Sequence, residues 1–278
     1  MGILLKEIFN EGKTSSKKIC EDLYVVTEDF VAIIDGATNV SGRLIRGKAP
    51  GRFAAEIIQQ TLLKARKDIS LIDLLSVINK NLLDRYETFG MIEEIKKNAW
   101  MVPTACLICY SKFYNQIWQI GDSQCMIEGK LYTNNKVIDE ITANARAMYL
   151  EAELKNGKTI EDLIENDLGW NYIQPLIKQQ YYLQNDKENQ FGFEVINGFE
   201  VDMSRVKVIQ VPLHTKTIIM ASDGYPVLKE TLEETEEALK IVLETDPLCF
   251  RQYKSAKGLQ KGNNSFDDRT YIKFELLS

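Results

Sequence analysis

The sequence predicts an α+β fold built from layers of antiparallel strands and helices. Short apolar β-type runs and longer amphipathic segments occupy separate blocks of the 278 residues, whereas a doubly wound parallel sheet would alternate them strictly. Tight turns join several neighbouring strands, which is typical of antiparallel pairing. We expect one domain over residues 1–278, with a helical insertion or flap at about 142–200.

Hydrophobic patterns predict the elements in the first half of the chain. Two segments with apolar residues at helical spacing, 49–66 and 71–95, predict a pair of packed helices. Gly121, Asp122 and Ser123 form a tight turn between two strands. The predicted strands, each a short run of mainly apolar residues, are 23–26, 31–34, 104–110, 116–120 and 124–127.

The second half continues with helices followed by strands. Residues 142–184 are rich in charge and predict helices, with a break at Asn156-Gly157 and a capping box that starts at Thr159. Further helical segments are predicted at about 226–258. The strands predicted here are 207–211, 217–221 and 271–276.

Composition and charge exclude several classes of function. No apolar run is long enough to span a membrane and the N-terminus lacks a secretory pattern, so we expect a cytoplasmic protein without a membrane partner. A net charge of −6 argues against nucleic acid as a partner. Five irregularly spaced cysteines, Cys106 and Cys109 among them, predict buried reduced thiols. The single histidine, His214, lies in a turn-like stretch, so a metal site would have to use carboxylates.

Acidic residues stand at the ends of four predicted strands: Glu21-Asp22, Asp35-Gly36, Asp223-Gly224 and Asp267-Asp268. If these strands are neighbours, the carboxylates converge and repel one another unless cations lie between them. Oxygen ligands without histidine or thiolate suit Mg²⁺ or Mn²⁺, and a carboxylate shared by two ions would hold them about 3.5–4 Å apart. Either Asp-Gly pair by itself is typical of a turn. The recurrence of acidic strand ends is what indicates a metal centre.

Six short segments carry a resemblance to a known family. They are CEDLYVV, IIDGATN, PTACLICY, IGDSQCMI, IMASDG and DDRTYI, and they follow one another across essentially the whole chain. In this order they resemble the metal-dependent protein serine/threonine phosphatases of type 2C, the PPM family. The resemblance implies a four-layer α-β-β-α sandwich of two antiparallel sheets flanked by helices, with two metal ions in a cleft at one edge. It also implies Mn²⁺- or Mg²⁺-dependent hydrolysis of phosphoserine and phosphothreonine in a phosphorylated protein partner, and we expect a monomer.

The resemblance also implies which residues hold the two ions. Asp35 would bridge both of them, and Gly36 would contribute its backbone carbonyl. Asp22 would hold one ion directly or through water. Asp223 and Asp267 would complete the coordination of the other ion.

Three further acidic residues have secondary roles by the same resemblance. Glu21 is implied as an outer or water-mediated ligand. Asp122 matches a position that helps to hold a weaker third ion in the family, although a turn aspartate that caps backbone amides would look the same. Asp268 would lie beside the ligand set and support it.

The sequence departs from the family pattern at two places. Lys17, followed by Lys18, stands where many members carry an arginine that grips the substrate phosphate; a lysine supplies charge without a bidentate fork, and a solvated basic pair is the alternative. Ala37-Thr38 replaces a segment that often carries a histidine proton donor. The catalytic residues implied are therefore Asp35, Asp22 and Lys17, in a direct hydrolysis by activated water with no phosphoenzyme.

Two alternatives to an active phosphatase remain open from the sequence. A phosphatase-like domain could keep the fold and metals but bind or regulate without turnover, because both departures affect catalysis. Residues 42–49, GRLIRGKA, come close to a phosphate-binding loop and suggest a nucleotide-binding module, although Ala49 lacks the hydroxyl that such a loop uses for Mg²⁺.

Overall fold

The computed structural model describes residues 2–14 and 20–277. Ten strands are described: Gly2–Glu11 (β1), Leu23–Val26 (β2), Phe30–Gly36 (β3), Ala105–Ser111 (β4), Gln116–Ile120 (β5), Gln124–Ile127 (β6), Lys130–Tyr132 (β7), Lys207–Gln210 (β8), Thr217–Ala221 (β9) and Arg269–Leu277 (β10). The α-helices in the same residues are Pro50–Leu62 (α1), Leu71–Thr88 (α2), Ile92–Lys97 (α3), Val137–Lys155 (α4), Ile160–Glu165 (α5), Leu168–Gln180 (α6) and Leu232–Thr245 (α7).

The strands form two antiparallel sheets of five strands each. One sheet has the order β1-β10-β9-β6-β7 and the other β2-β3-β4-β5-β8. All pairings within them are antiparallel. The predicted α+β class with two antiparallel sheets is therefore confirmed.

Strand β3 shows how the layers arise from the two-residue period of a strand. Val31 and Ile33 point into the apolar core between the sheets, where they join Ile272 and Phe274 of the other sheet. Ala32 lies on the opposite face of β3, in the core formed with α1 and α2. Because both faces are covered, β3 is buried almost throughout.

The outer face of the other sheet is covered in the same way. Ile219 and Tyr271 lie in a third apolar cluster with Leu239 of α7. Helices α1 and α2, the two sheets and α7 thus make the four layers that the family resemblance implied. Each fully buried aliphatic side chain in such layers contributes about 1.5–3 kcal/mol to the free energy of unfolding.

Most predicted elements occur where the sequence places them, but two strands were missed and two helical expectations were wrong. Strand β1 and the short β7 were not predicted at all. The helix expected over 71–95 is divided into α2 and α3, because Gly90 adopts a φ of 65° that ends the first helix. Of the helical segments expected over 226–258, the structure contains only α7. It stops at Asp246, whose carboxylate accepts hydrogen bonds from the backbone of Arg251 and Gln252 at 2.8 Å each and closes a turn.

Helices α4 to α6 occupy the segment predicted as an insertion. Thr159 forms the predicted capping box with Asp162, with hydrogen bonds of 2.9 and 3.1 Å. Arg146 of α4 is fully buried and forms an ion pair with Asp167 at 2.6 Å, so it fastens α4 to the start of α6. The division of the chain into one domain with an insertion at 142–200 stays a prediction.

The expectations for cysteine and histidine are confirmed. All five cysteines are free and buried, and Cys106 and Cys109 lie in the same strand, β4. His214 is exposed in a turn between β8 and β9. In the part of the chain described, no helix is long and apolar enough to cross a bilayer.

Candidate metal centre

Three aspartates converge at one edge of the sandwich. Asp35 lies near the end of β3, Asp122 in the turn between β5 and β6, and Asp223 directly after β9. One carboxylate oxygen from each lies within 4.8 Å of those of the other two. Because β3 and β9 belong to different sheets, this cluster exists only where the ends of the two sheets meet.

Two further predicted ligands lie beside these three aspartates. Asp22 precedes β2, is only 1% exposed, and accepts a hydrogen bond of 2.9 Å from the hydroxyl of Thr270. Asp267 precedes β10 and is also buried. Burial raises the pKa of Asp35 well above its ordinary value, and Asp223 and Asp22 raise it further. Asp22 and Asp267 are therefore close enough to act on the charge of Asp35, and their roles as ligands stay predictions.

The carboxylates oppose one another's ionisation. Burial raises the pKa of Asp22 to about 7, and the charge of Asp268 adds to the effect. Burial also raises the pKa of Asp223 to about 7, with Asp122 and Asp267 as the next causes. Carboxyl groups held this close favour either protonation or a cation between them.

The side chain of Glu21 independently indicates that the acidic centre binds a ligand. Its side chain is buried, with the residue 6% exposed, and its Oε1 has no hydrogen-bond partner among the described residues. Burial raises the pKa of Glu21 to about 8, although Lys13 opposes the shift. A buried carboxylate oxygen without a partner is unfavourable unless something else occupies that position.

Asp268 holds the chain on both sides of the segment 15–19. One carboxylate oxygen accepts the backbone N–H of Lys13 at 2.9 Å, and the other accepts that of Glu21 at 2.7 Å. This supporting position beside the ligand set agrees with the role implied by the resemblance. Lys17 and Lys18, the predicted phosphate-binding lysines, lie outside the described residues.

Gly36 allows an unusually close approach of three backbone segments. A Cβ on Gly36 would lie 2.6 Å from the carbonyl oxygen of Glu21 and 2.7 Å from the carbonyl carbon of Gly51. A Cβ on Gly51 would in turn lie 2.3 Å from the carbonyl oxygen of Ala37. Gly51 was not predicted as part of the site. Its place in the first turn of α1, where glycine lowers helix stability, was the available signal.

Three lysines that the sequence analysis missed contact the acidic centre. Lys136 forms an ion pair of 2.7 Å with Asp122. Lys257 contacts one oxygen of Asp267, and Lys13 lies 3.4 Å from the other. Nothing in the sequence around these lysines distinguishes them from solvated ones, because the contacts join residues that are distant in the chain.

These ammonium groups change the pKa of the two carboxyls that they contact. Burial by itself would raise the pKa of Asp122, but Lys136 outweighs burial and the net pKa lies below the ordinary value. Burial likewise opposes the ionisation of Asp267, and Lys257 and Lys13 together bring its pKa below the ordinary value. Asp122 and Asp267 are therefore ionised with lysine counterions in direct contact. Among the described residues, no ammonium group forms an ion pair with Asp22, Asp35 or Asp223.

The donor set fits hard divalent cations. Carboxylate oxygens are the ligands that Mg²⁺ and Mn²⁺ prefer, and a carbonyl from Gly36 would add to them. The unpartnered Oε1 of Glu21 and the close backbone approach at Gly36 agree with a built site. The role of each residue as a ligand stays a prediction.

Comparison with solved structures identifies the fold. The serine/threonine phosphatase PstP/Ppp of Mycobacterium tuberculosis matches with a TM-score of 0.50 at 15% identity over all of both chains. The catalytic domain of PstP in complex with two manganese ions matches with a TM-score of 0.52 at 14% identity, over 99% of this chain and 100% of that one. This chain has the PPM phosphatase fold. Stp1 of Staphylococcus aureus matches equally, with a TM-score of 0.50 at 14% identity over 100% of this chain and 97% of that one.

The PPM fold confirms the resemblance carried by the six short motifs. At this level of identity the likeness concerns the architecture alone. No family model matches the sequence, and no curated protein matches it either. Five of the six motifs, all except PTACLICY, contain an acidic residue that the fold brings to this edge.

The segment proposed as a nucleotide-binding loop lies between β3 and α1. Ile45 and Lys48 exchange two backbone hydrogen bonds of 2.8 and 3.0 Å and close a tight turn. Pro50 is the first residue of α1 and has no N–H to offer a phosphate. This geometry gives the nucleotide-binding alternative no support.

Proposed function

We propose that the chain is a Mn²⁺- or Mg²⁺-dependent phosphatase that hydrolyses phosphoserine and phosphothreonine in proteins. The observation that carries the proposal is the convergence of Asp35, Asp122 and Asp223, whose carboxylate oxygens lie within 4.8 Å of one another. Asp22 and Asp267 stand beside them and act on their pKa values. The PPM fold supports the same reaction.

The balance of charge supports more than one cation. Three ammonium groups, those of Lys13, Lys136 and Lys257, contact the centre. The carboxyl groups outnumber them; they belong to Glu21, Asp22, Asp35, Asp122, Asp223, Asp267 and Asp268. An acidic excess in a buried site is stable only when cations or protons offset it. We therefore propose two divalent ions, with Asp122 assisting a weaker third.

Each residue then has a definite task. Asp35, one of the three converging aspartates, would be shared by both ions, and the backbone carbonyl of Gly36 would be a further ligand. Asp22 is oriented by the hydroxyl of Thr270 and would hold one ion from the side of β2. Bound divalent ions would supply Lewis-acid activation of water and of the phosphate ester. Lys17 stays a proposed phosphate-binding residue, and the hydrolysis would need no phosphoenzyme.

The proposed substrate is a phosphorylated protein, and the protein would act as a monomer without nucleic acid or membrane. Lys136 immediately precedes α4, so the segment that begins with α4 borders the acidic centre. Residues on this segment would meet whatever polypeptide surrounds the phosphate. Selection among phosphorylated proteins would therefore depend on α4 to α6.

The test is hydrolysis of a phosphothreonine peptide and of an aryl phosphate in the presence of Mn²⁺. Asp35→Asn and Asp223→Asn should each abolish turnover of both substrates, because each removes a proposed ligand. Asp84→Asn, a change of the same type at an exposed position of α2, should leave turnover unchanged. Hydrolysis that survives chelation and both ligand substitutions would contradict the proposal.

A phosphatase-like binding domain is the second candidate, and one observation favours it. Both oxygens of Asp267 already have lysine partners, Lys257 and Lys13, which would compete with a metal ion there. Mn²⁺ binding without hydrolysis of either substrate would support this candidate over an active enzyme.

A further inference from the structure

Asp267 differs from the other predicted ligands because ammonium groups contact both of its oxygens. Lys257 Nζ contacts Oδ2, and Lys13 Nζ lies 3.4 Å from Oδ1. The Oδ1 atom also accepts the backbone N–H of Asp268 at 3.0 Å. An ammonium group that contacts a carboxylate oxygen competes with a divalent cation for that oxygen, because the two positive charges repel each other at short range.

The backbone holds Lys257 in this position from both sides. Its N–H donates to the hydroxyl of Ser255 at 3.1 Å, and the N–H of Leu259 donates to the carbonyl of Pro247 at 2.8 Å. A Cβ on the intervening Gly258 would lie 2.5 Å from Arg146 Nη2. The backbone that carries Lys257 is thus fixed by hydrogen bonds and by close packing at Gly258.

Arg146 connects this segment to the helices of the insertion. Its Nη1 donates to the carbonyls of Leu248 at 2.7 Å and Ser255 at 3.2 Å, while Nε and Nη2 bond Asp167 at 3.2 and 2.6 Å. The position of Lys257 is therefore part of the tertiary structure rather than a surface side chain in one of many rotamers. The side chain of Lys257 is only 26% exposed.

We infer that Lys257 is a built-in counterion of Asp267 that a divalent cation has to displace, so that this lysine lowers the affinity of the centre for one of its metal ions. The inference rests on the proposed function only in that Asp267 serves as a ligand. Without metal, Lys257 offsets part of the acidic charge and stabilises the fold. With metal, its ammonium group has to leave Oδ2, and the separation of that ion pair reduces the net gain from binding.

The influence of Lys257 extends beyond Asp267. Its positive charge also favours the ionised forms of Asp223 and Asp35, after its main partner Asp267. Lys257 thus acts on Asp223 and Asp35 as well as on Asp267. A divalent cation that binds at Asp267 would replace the single positive charge of the Lys257 ammonium group by two positive charges.

The experiment is direct Mn²⁺ titration of the purified full-length chain by calorimetry, together with electron paramagnetic resonance of free Mn²⁺. Lys257→Met should bind one class of Mn²⁺ about tenfold more tightly than the wild type, because one competing charge is removed. In chelator the same variant should melt at a lower temperature, and Mn²⁺ should raise its melting temperature by more than that of the wild type.

The matched control is Lys254→Met, three residues earlier in the same segment. Lys254 bonds the side chain of Asn144 at 2.8 Å and is exposed, so both readouts should equal those of the wild type. If Lys257→Met does not fold, Lys13→Met removes the other competing ammonium and should tighten Mn²⁺ binding in the same direction. Unchanged or weaker Mn²⁺ affinity in the folded variant overturns the inference, as does a wild type that binds no Mn²⁺.

The outcome is separate from that of the phosphatase assay. Tighter Mn²⁺ binding by Lys257→Met in a protein that hydrolyses nothing would support the role of the lysine and contradict the enzyme. Normal hydrolysis with unchanged Mn²⁺ affinity in the variant would support the enzyme and contradict the role of the lysine.

Discussion

Asp22 offers a sharp test of the acidic centre, because Asp22→Asn removes one charge and preserves the shape of the side chain. The residue is 1% exposed, and burial raises its pKa from 3.8 to about 7. In the unfolded chain this carboxyl ionises near its ordinary pKa. At a pH between these two pKa values, Asp22 has lost its proton in the unfolded state but keeps it in the folded state. The free energy of unfolding of the metal-free protein therefore falls as the pH rises through this range.

The size of the effect follows from the shift in pKa. A change from 3.8 to about 7 corresponds to at most about 4 kcal/mol of unfolding free energy, at ~1.4 kcal/mol for each tenfold change in proton affinity. Neighbouring carboxyls share protons with Asp22, so the gain on substitution should be about 1–3 kcal/mol. Asparagine carries no charge and can still accept the hydrogen bond from Thr270.

The assay is urea unfolding in chelator at about pH 8 and at about pH 4. Asp22→Asn should be more stable than the wild type at the higher pH and nearly equal to it at the lower pH, where both side chains are neutral in the folded state. In Mn²⁺ the order should reverse, because only the wild type keeps the full ligand set. Asp84→Asn should show neither effect. The reasoning fails if Asp22→Asn in chelator is no more stable than the wild type at about pH 8, or gains equally at both values.

Three further substitutions test contacts that stabilise the fold. Gly36→Ala should lower the unfolding free energy by about 1–3 kcal/mol through backbone overlap and weaken Mn²⁺ binding in calorimetry; an unchanged melting temperature would contradict the close approach. Arg146→Met should cost about 3–5 kcal/mol in urea unfolding because Asp167 loses its buried partner, and adding Asp167→Asn should restore part of that loss. Tyr86→Phe removes a buried hydroxyl that lies within 3.1 Å of two backbone carbonyls and should cost about 1 kcal/mol; no change in thermal unfolding would count against that bond.

The strands could be predicted where hydrophobic runs are short and bounded by turns. Strands β2 to β6 and β8 to β10 all have that pattern, and it holds even for β2 and β8, which lie at the edges of their sheet. Strand β1 was missed because it mixes charged with apolar residues. It becomes a strand by pairing with β10, and such pairing has no local signature.

Helix ends were less predictable than helix positions. The apolar spacing of α2 continues through Met91, Ile92 and Ile95, so the pattern alone could not show that the helix ends. The positive φ of Gly90 decides the break. Similarly, the turn after α7 depends on how the Asp246 carboxylate meets backbone N–H groups that follow it.

The sequence by itself determined that this is a layered antiparallel protein with carboxylates at four strand ends, because hydrophobic periodicity and turn chemistry are local properties of a chain. Only the tertiary structure decided that Asp122 joins Asp35 and Asp223, and that Lys136 and Lys257 neutralise two of the carboxylates. These contacts depend on the positions that the strand ends of the two sheets and the loop after α7 take in the folded protein. Electrostatic partners of this kind are set by distance in space, which the order of residues does not encode locally.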